Sequence, residues 1–197
     1  MRSKLVLTTV VVVLAVVVIA GWIEVMHGLS ARDNPTAFEK FVAVTVRKMA
    51  MPAKAKNQKN PYTATPELLT EARRHFADHC ATCHGNDGSG NTSIGRNLYP
   101  KAPDMRLPDT QGLSDGQIYY IIHNGIRLTG MPAWGEANKK DADEDSWQLV
   151  LFIRHLPKLT PEEEKDMEQS NPKSTMEHDE EVEEEEFLKG GNPPAMN

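Results

Sequence analysis

The chain has 197 residues, enough for one modest domain with extensions, and its 39% apolar and 25% charged content is ordinary for a globular protein. The net charge of -6 is a sum of unlike parts, since residues 1–159 hold 19 Lys/Arg and 15 Asp/Glu while residues 160–197 hold 3 and 13. That distribution excludes a basic nucleic-acid binder, and the only two cysteines, Cys80 and Cys83, are too few and too close for a disulfide-stapled fold.

Residues 1–4 carry Arg2 and Lys4, and from Leu5 to Ile23 there are then 19 residues without a charge. As a helix that run spans roughly 28 Å, close to the hydrocarbon thickness of a bilayer. It is longer than the apolar region of an ordinary signal peptide, so residues 5–23 are expected to be an uncleaved transmembrane anchor. Arg2 and Lys4 before it and Arg32 and Lys40 after it nearly balance, so charge alone does not orient it.

Residues 24–60 read as a stalk. Asn34-Pro35 suits a helix start, and Phe38, Phe41, Val42, Thr45 and Met49 recur at spacings of three and four, which predicts an amphipathic helix to about Ala50. Its polar face is not strongly basic, so packing on the chain's own domain is expected in preference to the membrane surface. Thr65-Pro66-Glu67 opens a second helix through Leu68, Leu69, Ala72 and Phe76 into the cysteines. Residues 85–112 are rich in Gly, Pro, Asn and Asp and read as loop. Ser114 and Gln117 form a capping box for a helix carrying Ile118, Ile121 and Ile122 and ended by Gly125. A last core helix covers roughly 144–156, closed by Pro157, and Thr160 caps a short acidic helix. After Asn171-Pro172 the chain is acidic, with Glu183–Glu186 contiguous, as expected of a solvated tail that either steers a basic partner or folds back on the basic stretch at Lys54, Lys56 and Lys59. No segment alternates like a strand, so the fold class is all-α.

The chemistry lies in Cys80-Ala81-Thr82-Cys83-His84. Thiols three apart on one tight turn reach both vinyl groups of a haem, and the adjacent histidine then lies under the iron; this spacing reads as c-type haem attachment. A zinc site needs further ligands, and there is no other cysteine; a redox dithiol belongs near a βαβ pattern, and none is visible. Gly130-Met131-Pro132 places a soft thioether in a rigid loop after a helix, suited to the opposite face of the iron. His123, inside an apolar helix, reads as a packed or half-exposed residue, and His27, His75, His79 and His155 have no partner at metal-ligand spacing.

With Leu98-Tyr99-Pro100-Lys101-Ala102-Pro103-Asp104, Asn124-Gly125-Ile126-Arg127, Gly130-Met131-Pro132-Ala133-Trp134-Gly135 and the closing helix Trp147 to Leu156, these motifs resemble the class I c-type cytochromes. The likeness is to the mono-haem modules of membrane-bound respiratory complexes and covers about residues 61–159. It implies one covalent haem c held by Cys80 and Cys83, with His84 and Met131 as axial ligands. It implies a proline carbonyl orienting His84, a place that Pro100 or Pro103 fits, and it makes Tyr99, Arg127 and Trp134 candidates near the propionates. It also implies that the 65–80 helix crosses the 144–156 helix, with Ala72 and Phe76 meeting Trp147, Val150 or Leu151. Covalent haem attachment belongs outside the cytoplasm, so the haem domain is expected on the periplasmic side of the inner membrane. The expected activity is single-electron transfer between redox proteins or within a respiratory membrane complex, not catalysis; a sensor or enzyme with an open iron site is the weaker reading. The organisation expected is thus 1–4 cytoplasmic, 5–23 anchor, 24–60 stalk, 61–159 haem domain and 160–197 acidic extension.

Overall fold

A computed structural model describes residues 2–28, 30–136, 138 and 143–172. The described residues are helical and contain no strand. The chain divides between Asp33 and Asn34 into two units. The first is α1, Arg2–His27, whose segment Arg2–Ile23 is long and apolar enough to cross a membrane and has no buried side chain. The acidic tail from residue 173 onward, with Met176, His178 and Glu183–Glu186, lies outside the described residues.

The second unit starts with α2, Ala37–Ala50, and the short α3, Ala53–Asn57. The cap of α2 is Thr36, not the expected Asn34, because Glu39 three residues on completes a capping box that Asn34-Pro35 cannot. Helix α4, Pro66–His75, is capped by Thr65 and continues through a π-helical turn, Phe76–Cys80, into α5, Ala81–His84. After a 3₁₀ turn at Gly95–Asn97 and the short α6, Pro108–Gln111, comes α7, Asp115–Asn124, with the expected Ser114/Gln117 box and Gly125 ending it at φ 66°. Helix α8, Glu144–His155, runs into a 3₁₀ turn that includes Pro157, and α9 spans Pro161–Glu168.

The core forms where α4 and α8 cross, as the family likeness implied. Phe76 meets the ring of Phe152 at 5.1 Å, whereas Leu151, one of the expected partners, is only partly buried. Trp147 stacks on Tyr119 of α7 at 4.1 Å, which joins the third helix to the crossing. Arg154 of α8 fastens the approach to α7: its guanidinium donates to Asp115 Oδ1 at 2.9 Å, to the Gln111 carbonyl at 2.7 Å and to the Leu113 carbonyl. Gln111 donates back to the carbonyls of Met105 and Ile153, both at 2.8 Å.

Two differences from the sequence reading concern the flanks. Met167 of α9 is buried in the same core, and Arg73 of α4 pairs with Glu163 at 3.2 Å and Asp166 at 3.3 Å. The packed unit therefore continues past residue 159, because one apolar side chain and a cation on α4 dock an otherwise acidic helix. Conversely, α2 has no buried residue: its large apolar residues Phe38, Phe41, Val42, Val46 and Met49 are exposed, Val44 is partly buried, and Glu39 and Lys40 make polar contacts to Tyr99 and Asp109. Instead α3 is seated, with Ala55 buried and Gly116 of α7 so close that a Cβ there would lie 2.1 Å from the Ala55 carbonyl oxygen.

Phe76 is 1% exposed at the crossing. Phe76→Ala is expected to cost about 3–5 kcal/mol, read as a lower denaturant midpoint, while an exposed substitution such as Glu67→Ala leaves the midpoint nearly in place.

Candidate haem-binding site

The π-helical turn and α5 carry Cys80, Cys83 and His84 on one short stretch. Both cysteines are free and half-buried. Burial, with the neighbouring Cys83, pushes the Cys80 thiol up to about 12, so it is held protonated. Burial likewise pushes the His84 imidazole down to about 4, leaving it neutral at physiological pH, the form that ligates metals.

A helix end leaves carbonyls without partners, and the chain after His84 supplies them. The Gly90 amide donates to the His84 carbonyl at 2.7 Å, and the Thr92 hydroxyl lies within reach of the carbonyls of Thr82 at 2.9 Å and Cys83 at 3.2 Å. Glycine is required by close approach: a Cβ on Gly95 would lie 2.2 Å from the Cys83 carbonyl oxygen, and one on Gly90, at φ +72°, would lie 2.3 Å from that of Ala102. The Met105 amide donates to the Gly88 carbonyl at 2.8 Å and closes this wrap.

Of the two candidate prolines, Pro103 is the one whose backbone acts on His84, favouring its protonation against the larger effect of burial. No hydrogen bond of normal geometry forms, and His84 Nδ1 is a buried polar atom without a partner among the described residues. Pro100 follows a cis bond from Tyr99 and is exposed. Tyr99 is turned to α2, where its hydroxyl donates to Glu39 Oε1 at 2.8 Å. Trp134 is brought to the motif: its ring meets His79, next to Cys80, at 5.4 Å. Arg127 is exposed.

Met131 is half-buried in a loop stapled to α7. The Ile126 amide donates to its carbonyl at 3.1 Å, and the amides of Trp134 and Gly135 donate to the carbonyls of Ile122 and His123, each at 3.1 Å. Gly130 abuts Leu98, where a Cβ would lie 2.6 Å from Leu98 Cδ2, so the Met131 loop and the 95–100 segment are neighbours. Below the loop, His123 is buried against Tyr119, with Nδ1 3.1 Å from Asp143 Oδ2, and Asp143 also accepts from the Ser146 hydroxyl at 2.7 Å. Spacing could not show that His123 is a loop support, since Asp143 is 20 residues away in sequence.

These residues fit a haem. Thiols and a neutral imidazole sit on one turn, the imidazole has an unsatisfied buried nitrogen, and a thioether stands in a loop fixed at both ends. Fold and motif together define a class I c-type cytochrome domain, which takes a c-type haem, carried behind one helix long and apolar enough to cross a membrane. Residues 67–153 match the family described as cytochrome C oxidase, cbb3-type, subunit III. Over 93 residues the chain is 33% identical to the cbb3-type cytochrome c oxidase subunit FixP of Rhizobium meliloti (strain 1021). That stretch is 46% of this chain and 28% of FixP, so the chain spans well under half the length of this relative.

Two outcomes test the loop support. A Cβ at residue 135 would lie 1.8 Å from His123 Nδ1, so Gly135→Ala is expected to cost about 1–3 kcal/mol by overpacking, read by denaturant unfolding. Burial alone would raise the Asp143 carboxyl, but the hydrogen bonds from Ser146 and His123 outweigh it and hold Asp143 below the usual carboxylate value. Its contribution is fully present above the unfolded value of about 3.9 and is lost as pH falls from there through the lower folded value. Asp143→Asn should flatten that acid limb of stability while lowering stability at neutral pH, as followed by thermal unfolding against pH.

Proposed function

We propose that the chain is a membrane-anchored mono-haem electron-transfer subunit, serving a respiratory oxidase of the kind named by its relative. One observation carries the reading: Cys80, Cys83 and His84 share a turn whose carbonyls are clamped by the following loop, with a half-buried, neutral His84 imidazole at its end whose Nδ1 is buried. Once bound, a haem supplies a reversible one-electron change at its iron. Cys80 and Cys83 would hold the group through thioethers, and His84 and Met131 would ligate the iron. Pro103 would take the His84 Nδ1 proton in a hydrogen bond, fixing the tautomer and the ring angle. The His123–Asp143 pair and the glycine contacts of the Met131 loop would keep the thioether in place through the redox change. A fixed ligand set changes little on electron gain or loss, which suits transfer over bond-making chemistry.

Anchoring through residues 5–23 would put the haem domain on the periplasmic side, because this kind of covalent attachment takes place outside the cytoplasm. The domain organisation that accompanies the reading is an anchor, a stalk, and a haem domain that continues into α9. Redox proteins or an oxidase complex in the same membrane are the partners. The ordinary c-type role in transfer, and not in catalysis, follows from the saturated ligand set.

Cys80→Ser is expected to weaken or abolish haem staining of the denatured protein on a gel. Met131→Ala is expected to keep the stain, bind carbon monoxide when reduced, and lower the midpoint potential, because a thioether favours the reduced iron. An unchanged spectrum and potential in the second variant would assign the sixth position to another residue and reopen the sensor reading.

A further inference from the structure

The stalk helix α2 carries an apolar stripe that no described residue of its own unit covers. Phe38, Phe41, Val42, Val46 and Met49 recur at helical spacing and are 75, 68, 39, 58 and 78% exposed. The other side of α2 is already engaged: Glu39 accepts the Tyr99 hydroxyl at 2.8 Å, and Lys40 Nζ lies 3.4 Å from Asp109 Oδ2. The helix is thus mounted with its polar side toward the domain and its apolar side outward, the reverse of a surface helix that serves a core.

Two features point to what covers the stripe. First, only residues 28–36 separate the end of α1 from the start of α2. A tether of that length reaches at most about 30 Å, so α2 begins within reach of the interface that α1 leaves. Second, Lys48, seven residues after Phe41, lies at the edge of the stripe, and the single carboxylate of α2, Glu39, is occupied by Tyr99 and by its own helix start. Large apolar residues on one side, a cation at their edge and a carboxylate already engaged match a bilayer surface containing anionic headgroups.

We infer that α2 is an in-plane membrane helix, seating the Phe38–Met49 stripe at the headgroup boundary. The haem domain is then held to the bilayer at two places, the anchor and α2, and not by a free tether. Through Glu39–Tyr99 and the seating of α3 on α7, the orientation of the domain toward the membrane becomes fixed. The inference rests on the reading of α1 as a membrane anchor.

The test uses the haem-loaded full chain in phosphatidylcholine vesicles containing phosphatidylglycerol. Spin labels are placed at Phe41→Cys, within the stripe, and at Ala43→Cys, on another side of the helix. Access to oxygen, which concentrates in lipid, is compared with access to a water-soluble nickel chelate. The expected result is nickel access several-fold lower at 41 than at 43, with oxygen access higher at 41. A label at Val46→Cys should lose that protection when Phe38 and Phe41 are both changed to Ser. Equal nickel access at 41 and 43 overturns the inference. Protection at 41 that grows with the protein-to-lipid ratio, or that needs an added oxidase, assigns the stripe to a protein partner and overturns it equally. Washing the same vesicles with alkaline carbonate separates the two readings: release of the chain removes the anchor and the tether argument with it. A retained chain with an open residue 41 fails at α2 alone.

Discussion

The carbonyl oxygens of Thr82, Cys83 and His84 stand at a helix end and cannot be satisfied by their own helix, and the path of the next twenty residues follows from that requirement. Gly90 and Thr92 come back to supply donors, and the Gly95 backbone passes so near Cys83 that no side chain fits. This return brings Pro103 to His84 and delivers Met105 to the core. The loop is therefore shaped by hydrogen-bond debt and close packing, with little secondary structure of its own. Its glycines are as much a part of the cradle as the cysteines.

The same logic, moved to the other side, holds the Met131 loop. Its ends are stapled to carbonyls at the C-terminal end of α7, and a buried histidine and carboxylate stand beneath it. Backbone donors meet helix-end acceptors in both loops. Both halves of the expected ligand set therefore sit on segments held by the chain's own backbone hydrogen bonds.

Much of this was legible in the chain. Thr65, Ser114 with Gln117, Gly125 and Thr160 mark helix ends because caps are local chemistry, and each stands where it was expected. The Cys-Ala-Thr-Cys-His turn is local in the same sense. What was not legible depends on distant partners. Asp143 beneath His123, Tyr99 turned to Glu39, and Met167 docked by way of Arg73 are tertiary pairings with no signature in spacing. The periodicity of α2 was read correctly as amphipathic, but a period tells only that a face exists, not which way it is mounted.

The π-helical turn at Phe76–Cys80 has a consequence for how two demands share one rod. Buried positions run 72 and 76, then 77 and 81, so the inward stripe slips by one residue across the turn. One extra residue rotates everything after it by about 100° relative to an unbroken α-helix. Ala72 and Phe76 can then serve the crossing with α8, while Cys80 and Cys83 come round to a different azimuth, only half-buried. The helix works as two cams on one shaft, offset in phase, so that one rod both fills the core and turns its thiols toward the site.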